Sequence, residues 1–279
     1  MNNVKKSIGW ADFTVNPVKG LCPVGCSYCY ARRAYGRNCN EVFRDKTIRY
    51  DVDVWNGVEK ARPNDRVFVG STIDLFHPLC SKWNDEIIET CESLAPTTFI
   101  FLTKCPENLP KVWPDNCWVG VSATDFNMAT YAMCGLREVK AKVKIISFEP
   151  LLKQITPTAP YGPYTVDMFA RDLRFTGVKW VIIGAQTPYS TKTAPRIEWV
   201  KEIVDAADKT NIPVFLKNNL QPLIDEHFPD KGLACNHDKT VRSYHQMGKY
   251  NLCEGCDASG CDNCSVIWGL RQEVPGKGS

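Results

Sequence analysis

The sequence predicts an α/β protein, a partial (β/α) barrel followed by a small, cysteine-rich, metal-binding extension at the C-terminus. Three observations support this prediction. Short apolar segments alternate with helical ones, the apolar segments are mostly continuous, and cysteines crowd two short stretches. Continuous apolar strands are typical of a parallel sheet that is buried on both faces. We expect the barrel to span residues 1–220 and the extension residues 221–279.

About seven strands are expected, one before Cys22 and the others in short runs rich in Val, Ile, Phe and Trp. These runs are 66–70, 98–102, 117–121, 143–148, 179–184 and 213–216. Three intervening segments are helical candidates: 81–94, 125–139 and 195–208. Ser81 is the expected N-cap of the first, and Pro195 stands at the start of the third. Strands that alternate with helices indicate βα units and therefore a parallel sheet.

The composition argues against several classes of protein. The chain has 279 residues, of which 44% are hydrophobic and 23% charged, as in ordinary folded proteins. Its net charge of +3, from 34 basic and 31 acidic residues, is too small for a general polyanion binder. The N-terminus lacks the apolar region of a signal peptide, and no apolar run could span a bilayer. We therefore expect a cytoplasmic protein with no membrane partner and with reduced cysteines.

Seven of the 14 cysteines form two tight groups, while the other seven are scattered and are expected to be ordinary buried residues. The first group has C-x3-C-x2-C spacing and consists of Cys22, Cys26 and Cys29. The second has C-x2-C-x4-C-x2-C spacing and consists of Cys253, Cys256, Cys261 and Cys264. Four thiolates close a zinc site or saturate an iron–sulfur cubane, whereas three leave one metal position open.

The loop CPVGCSYCY resembles the cluster-binding loop of radical S-adenosylmethionine (SAM) enzymes, C-x3-C-x-aromatic-C. The resemblance implies that Cys22, Cys26 and Cys29 bind three irons of a [4Fe-4S] cluster and that SAM binds the fourth. It implies that SAM is cleaved to a 5′-deoxyadenosyl radical, which abstracts hydrogen from a substrate. It also implies a reductant such as flavodoxin or ferredoxin. The alternative is a three-cysteine zinc site that a distant histidine completes.

Polar or glycine-containing turns follow five of the predicted strands, and a barrel gathers such turns at one end. We therefore expect a shared binding site there. By analogy with radical SAM enzymes, the turn after the second strand approaches the SAM amino group, and Ser122 and Glu149 approach the ribose or methionyl part. Lys104 pairs with the SAM carboxylate or with an anionic substrate. The complete set of expected cofactor contacts is Tyr28, Gly70, Ser71, Thr72, Lys104, Ser122, Glu149 and Gln186.

A closer match runs from Trp10 to Leu216. The segments NPVKG, FVGSTIDLFHP, FIFLTKCPE, CWVGVSAT, ISFEPLL and WVIIGAQ resemble the phage Gp37/Gp68 family, also called DUF5131, which is radical SAM-like. This resemblance implies phage or bacterial host cytosol as the location. The gap between the first two cysteines is shorter than in many members, which favours ordinary SAM-type ligation. GAQT replaces a GGES-like turn of the family, so the family pattern defines no role for Gln186.

The segment 31–50 mixes basic and aromatic residues, as base stacking combined with phosphate contacts would require. A solvated helix face is the alternative. Together with the phage-family resemblance, this segment favours a nucleobase, nucleotide or nucleic acid as the substrate. Two other functions stay open: a peptide-modifying radical SAM enzyme with an auxiliary cluster, and a non-catalytic, zinc-stapled nucleic-acid-binding protein.

The C-terminal extension is expected to be held together by metal rather than by a second hydrophobic core. Three of the four histidines and five cysteines lie in its 59 residues. Its four grouped cysteines fit a second [4Fe-4S] cluster or one Zn2+, with Cys235 and His237 as candidate additional ligands. A tail without metal is the third alternative.

Quantification of iron and zinc in anaerobically reconstituted protein tests the tail site. In the Cys29→Ala variant, we expect the metal of the cysteine loop to be lost and the tail metal to remain. The tail metal should remain because the tail cysteines are separate in sequence from the loop. We expect it to be either iron with sulfide or zinc. A tail that holds neither metal contradicts the expectation.

Overall fold

Strands and helices alternate along most of the chain. The computed structural model describes residues 1–36, 45–159, 162–227, 244–247, 250–253 and 271–276. The strands are β1 (Asn2–Asn3), β2 (Phe13–Val15), β3 (Val18–Lys19), β4 (Arg49–Tyr50), β5 (Arg66–Val69), β6 (Thr98–Thr103), β7 (Cys117–Ser122), β8 (Lys144–Phe148), β9 (Thr158–Ala159), β10 (Gly162–Pro163), β11 (Val178–Ile183), β12 (Val214–Leu216), β13 (Tyr244–Met247) and β14 (Tyr250–Cys253). The α-helices are α1 (Tyr30–Gly36), α2 (Val52–Asn56), α3 (Asn84–Ser93), α4 (Phe126–Arg137), α5 (Val166–Thr176), α6 (Ile197–Lys209) and α7 (Gln221–His227).

One sheet of eight strands forms the centre of the molecule, in the order β1-β2-β5-β6-β7-β8-β11-β12. β1 pairs with β2 antiparallel, and all the other neighbours are parallel. The predicted α/β class and parallel sheet are confirmed. Each of the six apolar runs forms a strand whose ends lie within one residue of the prediction. Because the parallel strands follow chain order, right-handed connections carry the helices to one face.

The helix predictions are correct in position and wrong in one detail. The first helical segment begins as a 3-10 turn, Ser81–Trp83, which continues into α3. Ser81 is not an N-cap, because its hydroxyl donates to the carbonyl of Pro78 at 3.2 Å. α5 is not among the predicted helices, although Thr165 caps its first turn and Gly177 ends it with a left-handed conformation. No helix in the described ranges is both long and apolar enough to cross a membrane.

Alternate residues of the parallel strands face opposite sides of the sheet, as the pleat requires. On one side, residues such as Val67, Phe99 and Val119 pack against the apolar faces of the helices. On the other side, a smaller cluster includes Ile145 and Trp180 and contains no helix residue. Both faces of the strands are therefore buried, which explains why the strand sequences are continuously apolar.

Side chains, rather than hydrogen bonds, close the concave side of the sheet. In the described part of the chain, β12 does not pair with β1 or β2, so the barrel is open. Trp10, in the turn before β2, lies 4.8 Å from Phe68 of β5 and 6.2 Å from Trp180 of β11, measured between ring centroids. Those strands are four positions apart in the sheet. One indole reaches both because the sheet curves around it.

Two segments beyond residue 220 pack on this body. α7 buries Leu223 and Ile224 in the helix-side core. Gln272 forms an antiparallel bridge with Phe215, and the indole N–H of Trp180 donates to the carbonyl of Glu273 at 2.9 Å. The C-terminal residues thus extend the sheet next to β12.

The cysteine-rich block lies almost entirely outside the described residues. Cys256, Cys261, Cys264, Cys235 and His237 lie outside the described residues. Cys253 is the last residue of β14. The tail metal and the boundary at residue 220 therefore stay predictions.

Gly120 of β7 lies on the concave face in close contact with the neighbouring strands, and Gly120→Ala tests that packing. An added Cβ would lie 2.6 Å from Cβ of Ile145 and 2.8 Å from Cδ2 of Leu102. We expect this variant to lose about 1–3 kcal/mol of unfolding free energy in urea, the usual effect of overpacking. The control is Gly57→Ala, whose Cβ has no neighbour closer than 3.8 Å. Equal stability of the two variants would contradict this packing.

Candidate functional site

A cavity of about 450 Å³ lies on the concave side of the sheet. Inner-face residues of β2, β5, β6, β7 and β8 line it, as do residues that directly follow β5, β6, β8, β11 and β12. Its size is that of a site for a small molecule or cofactor. Its place at the carboxyl ends of parallel strands is where α/β folds bind ligands.

The cavity brings together the three cysteines of the first group and all the expected cofactor contacts. The residues come from six separate segments and are Cys22, Cys26, Cys29, Tyr28, Gly70, Ser71, Thr72, Lys104, Ser122, Glu149 and Gln186. Their roles stay predictions. Their common location follows from the topology, because parallel strands in chain order carry their final residues to one end of the sheet.

The cysteine loop connects β3 to α1 and is held by its own backbone. The amide of Cys29 donates to the carbonyl of Cys26 at 3.2 Å, and Gly25 has a φ of +73°, a left-handed conformation that favours glycine. The guanidinium of Arg32 donates to the carbonyl of Cys22 at 2.9 Å. The loop is thus ordered by contacts that leave its three half-buried thiols facing the cavity.

Backbone N–H groups point at two of the sulfur atoms. The amide of Arg32 donates to Sγ of Cys29 at 3.4 Å, and the amide of Asp74 donates to Sγ of Cys22 at 3.5 Å. The pKa of the Cys22 thiol is raised overall, because burial outweighs the amides of Asp74 and Val24, which lower it. These donors stabilise a sulfur that carries negative charge, the form that binds metal.

The donor set of the loop fits an iron–sulfur cluster. In the described ranges, no three His, Cys, Asp or Glu side chains lie close enough together to hold one metal ion. A cubane does not require such convergence, because each cysteine binds a different iron. Three half-buried thiols, with N–H donors beside two of them, match that arrangement.

Tyr28 and Lys104 lie together on the cavity wall. The ammonium of Lys104 is 5.9 Å from the centroid of the Tyr28 ring, within cation–π range. Burial, followed by the neighbouring thiol of Cys26, raises the pKa of Tyr28, so its phenol stays protonated. None of the described ion pairs includes Lys104. An anionic ligand group could therefore pair with it.

Asp74 organises the wall beside the cysteine loop, and the sequence analysis did not single it out. Its carboxylate accepts from the hydroxyl of Thr103 at 2.7 Å, the amide of Lys104 at 2.7 Å and the amide of Phe76 at 3.1 Å. It joins the turn after β5 to the end of β6. The sequence signal is its place in the polar turn that follows the second predicted strand, and nothing in its spacing marks this role.

Asn16 holds the expected turn 70–72, and it too was missed. Its side-chain oxygen accepts from the hydroxyl of Ser71 and from the amide of Thr72, each at 3.1 Å. Gly70 has a φ of +80°, and a Cβ there would lie 2.7 Å from Cγ of Leu75. Only glycine fits this turn without displacing its neighbours.

Lys217, also missed, follows β12 and forms an ion pair with Glu149 at the rim of the cavity. The ammonium side chain is nearly buried, so each charge needs the other. The side chain of Asn219 accepts from the backbone amide of Ala185 at 3.1 Å and donates to the carbonyl of Ala185 at 2.7 Å. These two bonds fix the turn that carries Gln186. The expected contacts at this rim are therefore held by residues from the end of the next strand.

Comparison with known proteins gives a family and a distant structural likeness. Two variants of spore photoproduct lyase, one cysteine-to-serine and one tyrosine-to-phenylalanine, are similar to the chain at 15% identity and a TM-score of 0.45. Each comparison covers 90% of this chain and 69% of that protein. No curated protein matches. The family described as "Protein of unknown function (DUF5131)" matches residues 5–225 and confirms the resemblance seen in the sequence. The chain therefore belongs to the DUF5131 family.

Proposed function

We propose that this protein is a radical SAM enzyme that uses a [4Fe-4S] cluster and SAM to abstract hydrogen from a nucleobase, free or within a nucleotide or nucleic acid. The observation that carries the proposal is the cavity itself. The C-x3-C-x2-C thiols and the strand-end residues that the resemblance assigns to SAM line the same 450 Å³ space. Membership of DUF5131 supports the resemblance from which the assignment comes.

The chain's own residues hold and shield the two cofactors. Cys22, Cys26 and Cys29 bind the cluster, and Lys104 pairs with the SAM carboxylate. The two cofactors, when bound, would supply the radical chemistry: one electron from a flavodoxin or ferredoxin would cleave a C–S bond of SAM to give methionine and a 5′-deoxyadenosyl radical. Apolar walls, including Phe68, exclude water from the space in which hydrogen is abstracted.

Several residues act by positioning the cofactor contacts. Asp74 fixes the backbone of Lys104 and directs its own amide at Cys22. Lys217 forms an ion pair with the Glu149 carboxylate and so fixes its position at the rim of the cavity. These groups do not touch the reacting atoms.

Three side chains in the described part of the basic segment bind other groups of the chain. Arg32 is bound to the cysteine loop, Arg49 pairs with Asp45 at 2.8 Å, and the hydroxyl of Tyr50 donates to Glu86 at 2.9 Å. These contacts stabilise the fold of the segment itself. Residues 37–44 lie outside the described ranges. The proposal of a nucleobase substrate therefore rests on the residues of the cavity.

Replacement of Cys29 tests the proposed activity. After anaerobic reconstitution with iron and sulfide, wild-type protein should form 5′-deoxyadenosine from SAM and a strong reductant. The Cys29→Ala variant should form none above background and should lack the loop iron, because one iron has no thiolate. The matched control is Cys134→Ala on α4, an exposed cysteine outside the cavity, which should behave as wild type.

The outcomes separate the candidate functions. Activity retained in Cys29→Ala would refute the ligand assignment. A colourless wild-type protein that binds zinc and nucleic acid but not SAM would support the zinc-stapled binding protein. Turnover of a peptide, with none of nucleoside, DNA or RNA, would support the peptide-modifying enzyme.

Asp74→Asn tests the positioning role of the buried carboxylate. Both carboxylate oxygens of Asp74 accept hydrogen bonds. The asparagine side chain replaces one of these oxygens with an NH2 group, which cannot accept, so at least one hydrogen bond to a charged group is lost. We expect a loss of about 2 kcal/mol in urea unfolding, the usual contribution of a hydrogen bond to a charged group. Asp125→Asn is the control, because asparagine caps α4 as well as aspartate does. Equal stability of the two variants would contradict the role.

A further inference from the structure

The base of the cavity differs chemically from its upper wall. It is formed by the turn before β2 and the inner face of β5 and β6, and its residues are Val4, Ser7, Ile8, Trp10, Phe68 and Leu102. We call this surface the floor. It carries no charged side chain, and none of its residues was assigned to the cluster or to SAM. The floor is therefore free to contact a second ligand.

Trp10 is the central residue of the floor and is held rigidly. Its indole is 1% exposed and contacts Phe68 and Trp180. Its N–H is buried and has no hydrogen-bond partner among the described residues. A buried donor without a partner is costly, so such groups in native proteins usually have an explanation. A ligand acceptor in the cavity would supply the missing partner.

Ser147 is a second unpartnered polar group on the cavity wall. It lies on the inner face of β8, is fully buried, and its hydroxyl has no partner in the described part of the chain. Its register partner on β7 is Ser122, which also lines the cavity. Every other residue of β8 that is fully buried is apolar. A serine here is explained if a ligand bonds to it.

The two groups define the ligand by its chemistry. The aromatic floor favours a flat, uncharged ring, which can pack on the partly exposed side chain of Phe68. The N–H of Trp10 requires an acceptor, and the hydroxyl of Ser147 either donates or accepts. A nucleobase has all these properties, because its ring is planar and its edge carries carbonyl oxygens, ring nitrogens and N–H groups. An aliphatic side chain offers neither the acceptor nor the flat face.

We propose that the floor is the substrate subsite and that it takes a nucleobase, recognised by the indole N–H of Trp10 and the hydroxyl of Ser147. The inference deepens the proposed function, on which it rests for the chemistry that follows binding. Binding itself depends only on the residues of the cavity.

Titration with 5-fluorouridine, followed by fluorine NMR line broadening in the reconstituted full-length protein, tests the subsite. Trp10→Phe keeps an aromatic ring and removes the N–H, and Ser147→Ala removes the hydroxyl. Each should weaken binding about three- to tenfold, the range expected for one hydrogen bond. The matched control is Trp55→Phe. Trp55 is also a buried indole whose N–H has no partner among the described residues, but it lies in α2 and does not line the cavity, so its variant should bind as wild type.

Several results would overturn the subsite. One is that wild-type protein does not bind 5-fluorouridine, and another is that all three variants bind it with the same affinity. A third is that wild-type protein binds 4-fluorotoluene, which lacks acceptors, as strongly as it binds 5-fluorouridine. Folding does not obscure the outcome, because Ser147→Ala removes an unpartnered buried hydroxyl and should melt no lower than wild type.

The failure of this inference is distinguishable from failure of the proposed function. Formation of 5′-deoxyadenosine without binding of 5-fluorouridine would defeat the subsite alone. Binding of 5-fluorouridine that depends on Trp10, in reconstituted protein that forms no 5′-deoxyadenosine, would support the subsite and defeat the radical chemistry.

Discussion

Trp10 packs against Phe68 on β5 and Trp180 on β11, and this contact across the concave side requires the sheet to curve. The gap between β2 and β12 has no connecting hydrogen bonds in the described ranges, so apolar side chains carry the closure. Curvature turns the ends of the parallel strands toward one another. The cavity exists because those ends converge above a packed aromatic base.

The cavity wall contains two kinds of polar group: those with a hydrogen-bond or ion-pair partner and those with none among the described residues. Asp74 and the Glu149–Lys217 pair are satisfied by the chain itself, as buried charges must be. Their contacts join strand ends that are far apart in sequence and so hold the wall in one shape. Among the described residues, Lys104 has no ion-pair partner, and the Trp10 N–H and the Ser147 hydroxyl have no hydrogen-bond partner. The proposals on cofactor and substrate binding rest on this difference.

Much of the fold could be predicted from the sequence, because the strands are buried on both faces and their apolar runs begin and end sharply. The common location of the expected cofactor contacts could be predicted for a related reason: most of them lie at or shortly after the end of a strand, and parallel strands end together. Asn16, Asp74 and Lys217 could not. They act on residues 55, 30 and 68 positions away, respectively, and no local pattern records such contacts. Ser81 was mistaken for a cap because a 3-10 turn precedes α3.

The sequence by itself determined the α/β class, the strand positions, the two cysteine groups and the family, because each depends on local composition or spacing. Tertiary structure alone decided that the sheet stays open, that Trp10 fills its concave side and that C-terminal residues extend it beside β12. It also decided which polar groups bind one another and which cavity residues have polar groups without a partner in the described part of the chain. Those outcomes depend on the distance between residues that the chain keeps far apart.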